Sequence, residues 1–282
     1  MYHVILPLIS KNKTQKNNSS SIPFLLSIVN LMTSRYRIVS LKFYHWITQS
    51  IITLRNGLPH GCYLCHEQTP HFRHRLCNIC REDLLFPEQL CIGCAKRIST
   101  TVNWCGQCQQ SLPQFTLVTG GYYQTPIKQL LSDFKYRQQM SLARELAHFL
   151  ARRIYKLINQ EMIVMPQAIQ PVPLHWQRQA KRGFNQAQLI AYELSQYLHI
   201  PVIDNIRRHR STQSQAELDA KQRQHNLDNA FQLRRPIIYD SIALVDDVYT
   251  TGATMHEISE TILQQQTLEI QHWAVARTVI SD

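Results

Sequence analysis

The sequence predicts an α/β protein in which a parallel β-sheet flanked by helices follows a small Cys-rich zinc module. Eight cysteines form four Cys-x-x-Cys units between residues 62 and 108, and the other parts of the 282-residue chain contain none. After residue 111, strand-like and helix-like hydrophobic patterns alternate, which is typical of a parallel sheet with helices on both faces. A third observation is the segment 242–254, where an apolar run meets two adjacent aspartates and a Thr-Gly loop.

The distribution of charge divides the chain into three parts. Residues 1–56 hold seven of the 30 Lys and Arg residues and no acid. We expect 1–56 to be a basic, partly disordered N-terminal extension, 57–111 a zinc-binding module with two four-cysteine sites, and 112–282 the main domain. An open alternative is that translation starts at Met32. Because the extension carries much of the net charge of +11, that charge alone does not indicate nucleic-acid binding.

The hydropathy of the sequence and its targeting signals indicate the cellular compartment of the protein. No apolar run approaches the roughly 20 residues that a membrane-spanning helix needs. The apolar stretch 22–32 follows three lysines, but no convincing small-residue cleavage site comes after it. We therefore expect a cytoplasmic protein without a membrane span, in which cysteines stay reduced.

The four Cys-x-x-Cys units predict two structural Zn²⁺ sites. Each unit places two thiolates on one side of a turn, and two units complete a tetrahedral four-cysteine site. Sequential pairing of the units involves shorter loops than cross-brace pairing and is favoured for that reason, although both remain open. A disulfide framework would require an oxidising compartment. The candidate ligands are Cys62, Cys65, Cys77, Cys80, Cys91, Cys94, Cys105 and Cys108.

The body of the chain alternates between the two kinds of hydrophobic pattern. Period-two or continuous apolar runs predict strands at 115–123, 169–174, 200–203, 242–246 and 270–277. Helical spacing predicts helices within 127–134, 143–158, 187–197 and 255–263. Ligands in such sheets bind at the carboxyl ends of the strands.

The segment 242–254 has the composition of a site for a sugar phosphate. A strand, a short Thr-Gly loop and a helix start direct backbone N–H groups at an anion, and Gly252 permits close approach. Asp246 and Asp247 lie just before this loop, and two adjacent carboxylates are natural acceptors for two vicinal sugar hydroxyls. The pattern therefore indicates a ribose 5-phosphate, although an aspartate pair at a strand end can also be merely solvated.

The chain from about residue 58 resembles the ComF family, including its GntX-like members. The matching features, in order, are the four Cys-x-x-Cys units, "FKY" (134–136), "PVPLHWQRQAKRGFNQAQL" (171–189), "HNLDNAF" (225–231), "ALVDDVYTTGAT" (243–254) and "VARTV" (275–279). The fifth of these looks like the phosphoribosyl pyrophosphate (PRPP) motif of type I phosphoribosyltransferases. The resemblance implies that fold, PRPP as ligand with Mg²⁺, and a role in natural transformation and the use of external DNA.

The resemblance also implies roles for individual residues. Asp246 and Asp247 would hold the ribose hydroxyls and serve as the catalytic pair. The segment 207–226 would form a mobile loop over the ligand, with Arg207, Arg208 and Arg210 near pyrophosphate or DNA, or simply exposed. The PRPP-binding residues would be Asp246, Asp247, Thr250, Thr251, Gly252, Ala253 and Thr254. The pyrophosphate loop would comprise Pro173, Leu174, His175, Arg178 and Arg182, with Lys181 adding a third cation.

Two functions from different classes fit these features. One is a phosphoribosyltransferase whose acceptor the sequence does not name, with a hood over the site built from residues around 120–150. In that hood, Lys135 and Tyr136 are candidates for ligand contact, although Tyr136 could equally belong to the core. The alternative is a non-enzymatic factor that binds single-stranded DNA and works with DNA-uptake or recombination proteins.

Overall fold

The computed structural model describes residues 61–68, 74–84, 89–98, 102–174, 183–209 and 230–278. The expected extension, 1–56, lies outside these ranges. In chain order the elements are α1 (Asn78–Asp83), β1 (Gln89–Leu90), β2 (Arg97–Ile98), α2 (Gly106–Gln110), β3 (Thr116–Tyr122), α3 (Ile127–Tyr136), α4 (Leu142–Asn159), β4 (Ala168–Pro171), α5 (Gln186–Leu198), β5 (Ile206–Arg208), β6 (Phe231–Leu233), β7 (Ser241–Tyr249), α6 (Ala253–Leu263) and β8 (Glu269–Arg277).

A four-stranded parallel sheet forms the centre of the body, with strand order β3-β8-β7-β4. The two central strands, β7 and β8, are the longest, and their residues are largely buried, as expected where helices cover both faces. Asp246 of β7 pairs with Ala274 of β8, and Tyr249 pairs with Arg277. This register brings the carboxyl ends of both central strands to one edge of the sheet.

Two hydrophobic cores lie on the sheet. One is built on α4, whose side chains Leu146, Leu150 and Ile154 are completely buried at one-turn spacings, together with residues of α3, α5 and the Cys-rich segment. The other gathers residues of α6, among them Ile258 and Ile262, against Ile242 and Leu244 of β7. The predicted fold class, a parallel sheet flanked by helices after a Cys-rich module, is confirmed.

Helix α5 shows how local sequence sets an element's ends. Asn185 is the N-cap, and its side-chain oxygen accepts a hydrogen bond of 3.1 Å from the backbone N–H of Ala187. The helix ends at His199, which adopts a left-handed conformation with φ of 56° and donates its N–H to the carbonyl of Ser195.

Three features of the fold differ from the sequence prediction. Strand β7 continues through both aspartates to Tyr249 instead of stopping at Asp246. The expected strand at 200–203 is reduced to a single parallel bridge between Val202 and Ile169. Residues 206–208 and 231–233, not predicted as strands, form the antiparallel pair β5–β6, so Arg207 and Arg208 lie in a strand and not in a loop.

The Cys-rich segment contacts the body directly. The backbone N–H of Leu117 in β3 donates to the carbonyl of Ile92, and the hydroxyl of Tyr122 donates to the carbonyl of Ala95 at 3.2 Å. Both acceptors belong to the third Cys-x-x-Cys turn or follow it directly. In the described part of the chain, no helix combines the length and apolar character that crossing a bilayer requires.

Candidate functional site

The eight cysteines form two compact clusters with sequential pairing. One cluster contains Cys62, Cys65, Cys77 and Cys80, the other Cys91, Cys94, Cys105 and Cys108, and within each the sulfurs lie within 4.8 Å of one another. The pairing favoured from loop length is therefore the one that the structure adopts, and cross-brace pairing is wrong.

The geometry of both clusters fits a tetrahedral metal. Zn–S bonds of about 2.3 Å in a tetrahedron place the sulfurs about 3.8 Å apart. The Sγ atoms of Cys65 and Cys77 are 3.7 Å apart, and those of Cys94 and Cys105 are 3.6 Å apart. Two clusters of four thiols at this spacing fit two Zn²⁺ ions.

Hydrogen bonds to sulfur favour the thiolate form that a metal requires. The backbone N–H of Cys105 donates to Sγ of Cys91 at 3.2 Å, and that of Cys77 donates to Sγ of Cys62 at 3.3 Å. A hydrogen bond from the Cys94 thiol, aided by backbone N–H groups and opposed by burial, lowers the pKa of Cys91 to about 4. Other thiols of the two clusters, Cys80 and Cys94 among them, have raised pKa values, so metal binding would have to displace their protons.

The first cluster is attached to α4 through a buried carboxylate. Glu145 is 3% exposed, and its Oε1 accepts a hydrogen bond of 2.7 Å from the backbone N–H of Arg75. His74 Nδ1 lies 3.2 Å from the same oxygen, and Arg81 Nε lies 3.6 Å from Oε2. Burial raises the pKa of Glu145, and the surrounding donors oppose that rise.

The first cluster is attached to α3 by a different contact. Tyr63 lies between Cys62 and Cys65, and its hydroxyl donates to Oδ2 of Asp133 at 2.9 Å. Asp133 is 5% exposed, and its Oδ1 also lies 3.3 Å from Nε of Arg137, one turn later. The cluster therefore contacts both α3 and α4.

The predicted acidic pair lies at the carboxyl end of β7. The backbone N–H of Asp247 donates to Oδ1 of Asp246 at 2.8 Å, and the charge of Asp247 acts on the Asp246 carboxylate. Lys135, in the last turn of α3, brings its Nζ to 2.9 Å from Oδ1 of Asp247, and both side chains are largely buried. The helix after β3 thus covers this edge of the sheet and provides a cation to the pair. Tyr136 of the same motif is 72% exposed and is not a core residue.

Burial and charge change the acidity of the pair. Protein atoms surround the Asp246 carboxylate, which keeps only partial contact with solvent. This desolvation, together with the charge of Asp247, raises the pKa of Asp246 to about 7, while the cations of Lys135 and Arg208 oppose the rise. The site holds less negative charge at neutral pH than two ordinary aspartates would, and a ligand that binds carboxylate oxygens would favour ionisation.

The Thr-Gly loop connects β7 to α6. Gly252 is the N-cap of α6, with φ of 81°, and the Thr251 hydroxyl accepts a hydrogen bond of 3.4 Å from the backbone N–H of Ala253. A Cβ on Gly252 would lie 2.0 Å from the hydroxyl of Tyr249, so both the positive φ and the tyrosine favour glycine here. The helix N-terminus therefore presents backbone N–H groups beside the acidic pair, an arrangement suited to an anion.

The structure places part of the predicted pyrophosphate loop. Pro173 and Leu174 follow β4, where the N–H of Val172 donates to the carbonyl of Val245, next to Asp246. The loop thus leaves the sheet at the edge that carries the acidic pair. His175, Arg178, Lys181 and Arg182 lie outside the described residues.

Arg208 of β5 and Tyr63 of the Cys-rich segment also contribute to the candidate site. Arg208 acts electrostatically on Asp246 and lies over the ring of Phe231, with 5.3 Å between its Cζ and the ring centroid. Arg207 donates to Oε1 of Gln232 across the hairpin at 2.7 Å. Arg210 lies outside the described residues. Tyr63 was missed because its partner, Asp133, is 70 positions away, and no local pattern marks such a pair.

Comparison with known proteins found relatives that extend over most of the chain. Competence protein F of Haemophilus influenzae is 36% identical over 222 residues, which cover 77% of this chain and 96% of that protein. The DNA utilization protein YhgH of Escherichia coli is 31% identical over 224 residues, covering 79% and 99% respectively. Competence protein ComFC of Bacillus subtilis is 28% identical and covers 51% of this chain and 56% of that protein. No protein-family model matches the chain.

Among solved structures, adenine phosphoribosyltransferase of Saccharomyces cerevisiae covers 51% of this chain and 72% of its own, with 15% identity and a TM-score of 0.30. Purine phosphoribosyltransferase of Pyrococcus horikoshii covers 49% and 86%, with 19% identity and a TM-score of 0.29. At these TM-scores the likeness carries no argument about the site.

The fold and the cysteine clusters together define a class of protein. Its members join a parallel α/β domain, with an acidic pair at the carboxyl edge of the sheet, to a module of two four-cysteine clusters. The relatives then narrow the class. This chain belongs to the family of competence protein F and the DNA utilization protein YhgH, as the resemblance to the ComF family predicted.

Proposed function

We propose that this protein binds PRPP at the carboxyl end of β7 and acts in the use of DNA taken up from outside the cell. The observation that carries the proposal is the acidic pair Asp246–Asp247 near the end of β7, with the start of α6 at Gly252 a short Thr-containing loop later. A ligand with a diol on one side and a phosphate on the other matches that order of groups.

The sugar end of the ligand is matched by the two carboxylates. Asp246 and Asp247 offer adjacent acceptor oxygens for the 2′- and 3′-hydroxyls, and Lys135 fixes Oδ1 of Asp247 at 2.9 Å. Accepting hydroxyl hydrogen bonds favours the charged carboxylate, so ligand binding would lower the raised pKa of Asp246. The pair would therefore recognise ribose rather than a phosphate alone.

The phosphate end is matched by the loop from Thr250 to Thr254. The first backbone N–H groups of α6 have no partner within the helix, and the helix dipole favours negative charge there. The side chains of Thr250, Thr251 and Thr254 carry hydroxyl donors. Anchoring the 5-phosphate in this loop would fix the distance between the phosphate and C1 of the ribose.

A transfer reaction at this site would break the bond between C1 of the ribose and an oxygen of pyrophosphate. Pyrophosphate would leave with the electron pair of that bond. The acceptor would bond to C1 and lose a proton. When bound, Mg²⁺ would neutralise negative charge on the departing pyrophosphate. Asp246 and Asp247 would orient the ribose and stabilise positive charge that develops on its ring. The acidic pair fits this cation because carboxylate oxygens suit Mg²⁺.

A direct DNA-binding function is the second candidate. It is favoured by the names of the relatives and by Arg207, an exposed cation on the antiparallel pair β5–β6. Single-stranded DNA bound there through its phosphates would weaken steeply as salt increases. Replacement of Arg207 by glutamine would reduce that binding, and it would leave in place Arg208, the arginine that acts on Asp246.

Calorimetry of zinc-loaded, full-length protein with Mg²⁺ and PRPP tests the proposal. We expect saturable binding by the wild type and its loss in the Asp246→Asn/Asp247→Asn double variant. The matched control is Asp204→Asn, because the Asp204 side chain is 62% exposed and pairs only with the exposed Arg234 among the described residues. Release of pyrophosphate on addition of candidate amine acceptors would then distinguish an enzyme from a binding protein. Failure of the folded wild type to bind PRPP would overturn the proposal.

A further inference from the structure

The last turn of α3 is held from two sides by polar contacts. On one side, Asp133 accepts a hydrogen bond of 2.9 Å from the hydroxyl of Tyr63. On the other, Lys135 lies 2.9 Å from Asp247. Residues two positions apart point to nearly opposite sides of a helix. The helix turn therefore bridges the first four-cysteine cluster and the acidic pair.

Tyr63 is the less exposed of the two side-chain partners of Asp133. The Asp133 carboxylate is almost inaccessible to water, and its second partner, the cation of Arg137, has a side chain that is 74% exposed. An exposed cation is a weak and screened partner. Without the Tyr63 hydroxyl, a buried carboxylate would lose its best donor, which is costly enough for the helix turn to shift toward solvent.

The position of Tyr63 in turn depends on the first cluster. Tyr63 lies within the turn from Cys62 to Cys65, while the second Cys-x-x-Cys turn of that cluster follows Arg75, whose N–H is bound by Glu145 of α4. The backbone N–H of Tyr63 donates to the carbonyl of Arg75 at 2.8 Å. A metal bound to all four sulfurs would lock the turn that carries Tyr63 to the turn anchored on α4.

We propose that Tyr63 is a positioning residue for the ligand site: through Asp133 it holds Lys135 against Asp247, so that metal in the first four-cysteine cluster sets the affinity of the acidic pair for its ligand. This inference rests on the proposed function of that pair. It gives the first cluster a role in ligand binding in addition to its role in folding.

The test compares two tyrosines that each lose one hydroxyl next to a four-cysteine cluster. Tyr63→Phe removes the contact with Asp133, and the control Tyr122→Phe removes the contact with Ala95 beside the second cluster. In full-length, zinc-loaded protein, we expect Tyr63→Phe to keep its full zinc content and to bind PRPP with Mg²⁺ about three- to tenfold more weakly. Tyr122→Phe should bind as the wild type does. Equal affinity of Tyr63→Phe and wild type would overturn the inference.

A double-mutant cycle tests the route through Lys135. If Tyr63 acts by holding Lys135, then adding Tyr63→Phe to Lys135→Met should weaken PRPP binding no further. Fully additive losses would overturn this route, since they would mean that Tyr63 acts independently of the ion pair.

Hydrogen exchange separates failure of this inference from failure of the proposed function. Backbone amides at 133–137 should exchange faster in Tyr63→Phe than in wild type, with or without ligand. In Tyr122→Phe their exchange rates should equal those of wild type. If wild type does not bind PRPP, the proposed function fails while this exchange comparison still decides the positioning role of Tyr63. Unchanged exchange in Tyr63→Phe would overturn that role.

Discussion

The ammonium group of Lys135 lies 2.9 Å from a carboxylate oxygen of Asp247, joining the last turn of α3 to the end of β7. Both side chains are largely buried, so this ion pair is less screened by solvent than a surface pair. It determines the charge at the sheet edge, because Asp246 lies beside Asp247 and carries a raised pKa. The ion pair is therefore the natural place to perturb the site.

Replacing Lys135 by methionine should weaken ligand binding. The change removes a cation that lowers the pKa of Asp246, so that pKa should rise further above about 7. Asp247 would also lose its fixed orientation. We expect PRPP affinity at pH 7 to fall by about tenfold, as for loss of a buried charged contact worth about 1.4 kcal/mol. Calorimetry measures this, with Lys128→Met, an exposed lysine of the same helix, as the control. Unchanged affinity in Lys135→Met would contradict this account of the ion pair.

Replacing Asp246 by asparagine should make stability less sensitive to pH. The pKa of Asp246 is raised from 3.8 to about 7 in the folded protein. Between about pH 4 and pH 7 the folded state therefore keeps a proton on Asp246 that the unfolded chain releases. This proton contributes free energy of unfolding that is fully present below about pH 4 and is lost as the pH rises to about 7. Between pH 5 and pH 8 the wild type should lose on the order of 2 kcal/mol that Asp246→Asn retains.

Urea unfolding at pH 5 and pH 8 gives the two free energies of unfolding. Asp204→Asn provides the comparison, because that carboxylate is exposed. An equal loss of stability in Asp246→Asn and wild type between the two pH values would contradict a raised pKa of Asp246.

Each four-cysteine cluster should hold one Zn²⁺ independently of the ligands of the other cluster. Cys65→Ser removes a ligand from the first cluster and Cys94→Ser removes one from the second. Mass spectrometry of metal content should give two zinc ions per wild-type chain and one in each single variant. Zinc should be released on acidification, because protons compete for the thiolates. Loss of both ions in one single variant would show that the clusters are coupled.

Gly252→Ala should reduce both stability and ligand binding. Alanine at φ of 81° is strained by about 1 kcal/mol, and its Cβ would meet the Tyr249 hydroxyl. Adding Tyr249→Val removes the steric conflict but not the backbone strain, so stability should recover only in part. Thermal unfolding and PRPP calorimetry of the single and double variants measure both effects. Full recovery in the double variant would mean that the backbone conformation costs nothing.

The parts of the fold that follow local patterns could be predicted from the sequence. Two Cys-x-x-Cys turns joined by a short loop close more readily than turns separated by another unit, and the clusters pair accordingly. The helix after Ser141 is predicted by the one-turn spacing of Leu146, Leu150 and Ile154, which are all buried. The same local logic located the Thr-Gly loop at the start of α6.

The contacts that build the candidate site from distant segments could not be predicted in this way. The pairing of Lys135 with Asp247 depends on how α3 crosses the sheet edge, which no periodicity specifies. The short strand containing Arg208 was hidden because the run of basic residues that begins at Arg207 resembles a solvated loop. Strand β7 extends past Asp246 because its neighbour β8 continues to pair with it as far as Arg277.

A crystal structure of the zinc-loaded protein with Mg²⁺ and PRPP is the most direct test of ribose-phosphate binding at the carboxyl end of β7. We expect the ribose hydroxyls within hydrogen-bond distance of Asp246 and Asp247, and the 5-phosphate against the N–H groups of the loop from Thr250 to Thr254. A ligand bound elsewhere, or no ligand at a concentration that saturates binding in solution, would contradict it.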